Sequence, residues 1–223
     1  MSLDPAGLAL YLVTDTDLCR AAGHTVPSVV SAAVRAGVRA VQVRAKDASG
    51  AAFLGEVLEV ADAIAGVPGG ERVDLYVNDR VDVALAARAA GARVAGVHLG
   101  QSDLPAAAAR RILWPGALIG VSVVDDDSLR AVEAADYLGI GPLRDTATKP
   151  DAERALGRTG VAALARAATV PAVAIGGISA ADLPRLRADG LAGAAVVSAI
   201  CAAADPERAA RDLLRAWNER THP

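Results

Sequence analysis

The sequence predicts an α/β fold, a (β/α)₈ TIM barrel, on three observations. Eight short apolar runs recur along the chain, with alanine-rich, helix-like stretches between them. The runs are too short for helices and rich in β-branched residues, as strands buried on both faces are. About eight strand–helix units in 223 residues is the count of such a barrel, near the small end of its usual size. An open doubly wound sheet is the alternative that shares this alternation. No linker, Pro/Ser-rich tract or charge block divides the chain, so residues 1–223 are expected to form a single domain.

The strand candidates, in order, are "LALYLV" (8–13), "RAVQV" (39–43), "DLYV" (74–77), "VAGVHL" (94–99), "ALIGVS" (117–122), "DYLGIG" (136–141), "PAVAIG" (171–176) and "AGAAVVS" (192–198). Helix candidates between them include "VPSVVSAAVRAG", "SGAAFLGEVLEVADAIAG", "RVDVALAARAAG", "LPAAAARRIL" and "SAADLPRLRADG". Several close on a glycine, as helix C-termini do. Aromatic residues make up 3% of the chain, so the core must be built from Val, Leu, Ile and Ala. The stretch 143–158 is the one long irregular connection, and such loops in compact domains are usually lids or binding loops.

Composition removes several classes of function. A net charge of −3 leaves no electrostatic footprint for nucleic acid or acidic membranes. The two cysteines, Cys19 and Cys201, have neither metal-ligand spacing nor the density of a secreted scaffold, and read as small buried hydrophobes. A cytoplasmic protein is expected, because the first residues lack a basic n-region and no apolar run approaches the roughly 18 residues of a bilayer span.

Residue types that are scarce here gather just after the strand ends, where a barrel places its chemistry. Only two of the 23 basic residues are lysines, Lys46 and Lys149. Lysine offers a compact point charge suited to phosphate. Gln42, Arg44 and Lys46 follow the second run; Asn78 and Asp79 the third; His98, Gln101 and Asp103 the fourth; Ser122 the fifth; Thr146, Thr148 and Lys149 the sixth. Asp79 and Asp103 each precede a helical stretch and could be plain N-caps. Facing one mouth, they would instead make a hard-oxygen Mg²⁺ site that keeps positions for water and substrate phosphate. His98, at the end of an apolar strand, reads as a hydrogen-bonded structural residue, and His24 and His222 as solvated. "AIGGIS" and "VVSAI" close the seventh and eighth runs, and glycine amides near a helix N-terminus there suit a monophosphate. Two kinds of anion site at one mouth suggest two phosphorylated substrates joined with loss of diphosphate.

In this arrangement the motifs "QVRAK", "VNDRVDVA", "GVHLGQSDLP", "IGVS", "ADYLGIGP", "TATK", "AIGGI" and "VVSAI" resemble the thiamine-phosphate synthase (thiamine-phosphate pyrophosphorylase) family over nearly the whole chain. The resemblance implies a transferase that condenses 4-amino-2-methyl-5-(diphosphooxymethyl)pyrimidine with a thiazole phosphate, giving thiamine phosphate and diphosphate by a Mg²⁺-dependent dissociative reaction. It implies that Gln42, Arg44, Lys46 and Asn78 contact the pyrimidine diphosphate, Ser122 the pyrimidine end, and Lys149 the diphosphate. Lys149, Lys46 and Ser122 would be the catalytic set. Thr146 and Thr148 fall on the thiazole phosphate side, Gly177, Val197 and Ser198 supply amides to that phosphate, and Asp79 and Asp103 hold Mg²⁺.

Two positions depart from the family pattern: Ala45 stands where glutamate is common, and "GVSVVDD" lacks the histidine often found after the serine. The expected partners are small-molecule substrates, with neither nucleic acid nor membrane, and a homo-oligomer is left open. Two rivals remain at this point. One is a thiazole tautomerase on the same fold, which would need no diphosphate or metal site. The other is a non-catalytic phosphate-binding barrel, in which the site after the seventh and eighth strands alone would matter.

Overall fold

The computed structural model describes residues 3–145 and 154–219. Eight parallel strands close into a barrel in chain order: β1 (Leu10–Val13), β2 (Ala40–Val43), β3 (Asp74–Asn78), β4 (Gly96–Leu99), β5 (Leu118–Val123), β6 (Tyr137–Ile140), β7 (Ala172–Ile175) and β8 (Gly193–Val196). Closure comes from β8 pairing with β1, with Tyr11 opposite Ala195. Every expected run therefore coincides with a strand to within one or two residues at each end, and the alternative open sheet is excluded.

Around the barrel lie α1 (Thr16–Ala21), α2 (Val26–Ala36), α3 (Gly50–Ala65), α4 (Val81–Ala89), α5 (Ala106–Ile112), α6 (Asp126–Arg130), α7 (Gly157–Ala167), α8 (Leu183–Ala188), α9 (Ser198–Cys201) and α10 (Pro206–Asn218). Local chemistry sets their ends. Thr25 and Ser28 form a reciprocal capping box at the start of α2, and Gly37 ends it at φ 110°, a left-handed conformation that glycine adopts without steric cost. Ser49 caps α3 by accepting from the Ala52 amide at 3.2 Å. At α10, Asp205 accepts from the Arg208 amide at 3.0 Å, and Pro206 occupies the first turn, where its missing N–H costs nothing.

Two expectations change. The stretch 179–190 is not one helix: a 3₁₀ turn, Ala180–Asp182, precedes α8. The Asp182 carboxylate folds back to accept from the Ser179 amide and hydroxyl at 2.8 and 2.7 Å. The irregular connection from 143 ends at 156, because α7 begins at Gly157.

Apolar side chains divide into two layers. The larger lies between the strands' outer faces and the helices, and is dominated by Val, Leu, Ile and Ala, with Cys19 and Cys201 both fully buried in it. The smaller fills the barrel and includes Leu8, Val13, Ala40, Leu118, Val173 and all three tyrosines of the chain, Tyr11, Tyr76 and Tyr137. Their rings sit 5.2–5.9 Å apart, centroid to centroid, in tilted and edge-on pairs, the arrangement aromatic quadrupoles favour. Space for this layer comes from Gly120, where a β-carbon would overlap the Tyr137 ring and the His98 imidazole.

Candidate active site

The site is built at the C-terminal rim from the ends of adjacent strands. After β2, the Arg44 amide donates to Thr14 Oγ1 at 3.0 Å, which ties this loop to the end of β1. Gln42 is buried, and its Nε2 donates to Tyr11 Oη at 2.9 Å; Lys46 is exposed above it on the loop.

At the end of β3, Asp79 adopts φ 58°, a conformation uncommon for a non-glycine residue and most often held by its surroundings. Its amide donates to the His98 carbonyl at 2.8 Å, extending the β3–β4 ladder by one bond. The Asp79 carboxyl is pushed up to about 6, first by burial and then by the Asp103 carboxyl, with which it shares a hydrogen bond; the Lys46 charge and a hydrogen bond from Asn78 work the other way. Asn78, Asp79 and Asp103 are therefore neighbours at one place, and Lys46 stands near enough for its charge to act on the Asp79 carboxyl.

Neither aspartate serves as a helix cap. The residue before α4 is Arg80 and that before α5 is Pro105, and neither helix start receives a side-chain hydrogen bond. Asp103 instead accepts from the Gly100 amide at 2.8 Å. Burial and the neighbouring Asp103 carboxyl both disfavour the charged form of Asp79, because two negative charges do not easily coexist there. A divalent cation would relieve the same repulsion. Among the described residues no cluster of three or more His, Cys, Asp or Glu could enclose a metal. An open two-carboxylate site suits Mg²⁺, which retains waters and takes substrate phosphates, and does not suit a closed zinc site.

Ser122, on β5, is hydrogen-bonded through Oγ to His98 Nε2 at 3.0 Å, and the other ring nitrogen of His98 meets Tyr137 Oη at 3.1 Å. The Gln101 side chain donates to the Ser122 carbonyl at 2.5 Å. His98 is thus hydrogen-bonded, as its place in the strand implied. Its partnership with Ser122 was not legible, because only the β4–β5 register brings the two together. His24, expected in solvent, is partly buried with Nε2 3.2 Å from the Ala203 carbonyl; His222 lies outside the described residues.

Gly177, Val197 and Ser198 stand at the ends of the paired strands β7 and β8. Gly176 and Gly177 have φ 94° and 65°, so this turn requires residues without a β-carbon. Val197 precedes the short helix α9, and its carbonyl accepts from the Ile200 and Cys201 amides. The β6 loop is fastened to the same turn. Arg144 donates to the Gly177 carbonyl at 2.7 Å and to both oxygens of Asp182 at 2.8 and 2.5 Å, a contact the sequence did not signal. Thr146, Thr148 and Lys149 lie outside the described residues. The flanks of their loop meet, with the Leu156 amide donating to the Pro142 carbonyl at 2.8 Å.

Comparison with known proteins agrees with this architecture. A family model described as thiamine monophosphate synthase matches residues 10–200. The chain is 46% identical over 211 residues to a thiamine-phosphate synthase of Chloroflexus aurantiacus, covering 92% of this chain and 90% of that protein. It is also 46% identical over 203 residues to one of Albidiferax ferrireducens, covering 89% and 87%. A solved thiamine phosphate pyrophosphorylase of Pyrococcus furiosus superposes with a TM-score of 0.81 at 30% identity, covering 95% of this chain and 96% of that one. The chain is an enzyme of the thiamine monophosphate synthase family.

Proposed function

We propose that this enzyme condenses 4-amino-2-methyl-5-(diphosphooxymethyl)pyrimidine with a thiazole phosphate to give thiamine phosphate and diphosphate, with Mg²⁺ as cofactor. The observation that carries the reading is the Asp79–Asp103 carboxyl pair with the Lys46 charge acting on it. A rim that crowds two carboxylates beside a lysine suits a metal-bound diphosphate, whereas a tautomerase or a simple phosphate binder has no use for it.

In this reading Asp79 and Asp103 would hold Mg²⁺, whose positive charge neutralises part of the charge that builds on the leaving diphosphate. Lys46, Arg44 and Lys149 bind the diphosphate oxygens, and Asn78, hydrogen-bonded to Asp79, also contacts the pyrimidine diphosphate. The C–O bond to diphosphate breaks with its electron pair leaving on oxygen, and the thiazole nitrogen lone pair then forms the new C–N bond to the pyrimidinylmethyl cation. No proton is lost from the joined rings, so no strong base is needed. The chain's tasks are to fix charge where it develops and to keep the two rings aligned in a dry site. Gln42 and Ser122 hold the pyrimidine, while Thr146, Thr148 and the amides at Gly177, Val197 and Ser198 hold the thiazole phosphate.

The test is to mix the purified protein with both substrates and Mg²⁺ and to follow thiamine phosphate by chromatography. Product that disappears with a chelator and returns with Mg²⁺ supports the reading. Binding of thiazole phosphate without turnover would reduce the protein to a phosphate binder. No described helix is long and apolar enough to cross a membrane, which supports a cytoplasmic enzyme acting on small molecules.

A further inference from the structure

The turn that follows β7 cannot hold its own shape. Gly176 and Gly177 sit at φ 94° and 65°, and glycine reaches such angles about as readily as their opposites. Two adjacent peptide planes are therefore free to rotate unless something fixes them. Arg144, from the loop after β6, fixes both. Its main-chain amide donates to the Gly176 carbonyl at 3.1 Å, and its guanidinium donates to the Gly177 carbonyl at 2.7 Å. The approach is close, since a β-carbon on Gly177 would stand 3.0 Å from that of Arg144.

A trans peptide points its N–H opposite to its C=O. The Gly176 carbonyl shares a plane with the Gly177 amide, and the Gly177 carbonyl with the Ile178 amide. With both carbonyls turned toward Arg144, both amides point away from it. Neither amide donates to a backbone carbonyl among the described residues. Successive N–H groups held in this way make an anion-binding concavity.

The guanidinium is itself anchored. Asp182 accepts from it through both oxygens, at 2.8 and 2.5 Å, and from the Ser179 amide and hydroxyl at 2.8 and 2.7 Å. The Arg144 hydrogen bond above all holds the Asp182 carboxyl down at about 2, so the pair is charged at neutral pH. A planar fork spans a carboxylate and a carbonyl at once, which a point-like ammonium does not. The pairing also neutralises a carboxylate that would otherwise repel an anion at this turn.

We propose that Arg144 is a positioning residue for the monophosphate: gripping the Gly176 and Gly177 carbonyls and braced on Asp182, it aims the Gly177 and Ile178 amides at the anion. The inference rests on the reading that the turn after β7 holds the thiazole phosphate. Without Arg144, the freedom of the two glycines would scatter those amides.

The test measures binding of thiazole phosphate, and separately of inorganic diphosphate with Mg²⁺, by calorimetry on the wild type, Arg144→Ala, Arg144→Lys and Arg130→Ala. Arg130 is the control, an exposed arginine paired with Asp127 within α6. Both Arg144 variants should weaken thiazole phosphate at least about tenfold, the loss of one charge-assisted hydrogen bond, and leave diphosphate binding unchanged. Arg130→Ala should match the wild type for both ligands. A mere prop of the fold would weaken both ligands together, and that result overturns the inference. A wild type that binds no thiazole phosphate defeats the assignment of the turn, and this inference with it. Wild-type affinity for thiazole phosphate in either Arg144 variant defeats this inference alone. Should Arg144→Ala not fold, Arg144→Lys, which keeps the charge and an apolar stem, decides by the same comparison.

Discussion

Asp79 shows how one side chain can be poor for the fold and useful to the site. Its backbone sits at φ 58° and its carboxyl is raised from 3.8 to about 6, chiefly by burial and then by Asp103. A carboxyl with a raised folded-state pKa binds more protons in the folded than in the unfolded chain between those two values. Its contribution to stability is therefore present below about 4 and lost as pH rises to about 6. In chelator, Asp79→Asn should gain thermal stability relative to the wild type as pH rises from 4 to 7, read from paired melting curves. A difference that stays flat over that range would mean that neither burial nor Asp103 raises the Asp79 carboxyl. The same substitution should lower turnover by orders of magnitude while the protein stays folded. Lys149→Ala should also lose activity with stability changed by no more than about 1 kcal/mol. Lys149→Arg should be impaired too, because a planar fork does not replace a point charge in a closed site; full activity there would undercut the reading of the rare lysine.

At the scale of elements, glycine does opposite things in the barrel and on its surface. Gly120 lies inside β5, where a methyl group would overlap Tyr137 and His98. Gly120→Ala should therefore destabilise by about 1–3 kcal/mol or more, as overpacking does. Gly55, within α3, has open space around its Cβ direction, and Gly55→Ala should stabilise by roughly 0.5–1 kcal/mol. Urea unfolding of the two variants checks both signs. These elements differ in how far the sequence disclosed them. The eight strands were legible because a strand covered on both faces must be a short run of Val, Ile, Leu and Ala. The α10 segment was not singled out, although Asp205, Pro206 and a buried face of Ala210, Leu213 and Trp217 define it once its partners are seen. That Asp79 and Asp103 come together was suggested by their places after adjacent strands, and Lys46 and Asn78 stood out because lysine and asparagine each occur only twice in the chain. The hydrogen bonds of Tyr11, Tyr137, His98 and Ser122 inside the barrel were not legible, because these residues lie far apart in sequence, and only the register of β1, β4, β5 and β6 sets them at bonding height.

Closure of the barrel gives the whole molecule a property that no single element has. The carboxylate pair at the ends of β3 and β4 and the glycine turn after β7 belong to one cylinder whose strands are all paired, β8 with β1 included. Neither proposed anion site could move far without disturbing that sheet, so binding there would be expressed as stability of the entire fold. A ligand at 100 times its Kd adds about 2.7 kcal/mol to the folded state. If Asp79 and Asp103 hold Mg²⁺ beside the diphosphate, then Mg²⁺ and inorganic diphosphate together should raise the melting temperature by more than the sum of their separate effects. Reciprocity requires each to tighten the other by the same factor. Inorganic phosphate, acting at the β7–β8 end, should raise it equally with and without Mg²⁺. Calorimetric scans of the wild type and Asp79→Asn separate the cases. Synergy lost in the variant, with the phosphate effect kept, puts the metal between the two carboxylates and the diphosphate. Simple additivity in the wild type would detach the carboxylate pair from diphosphate binding and leave its raised pKa without a use.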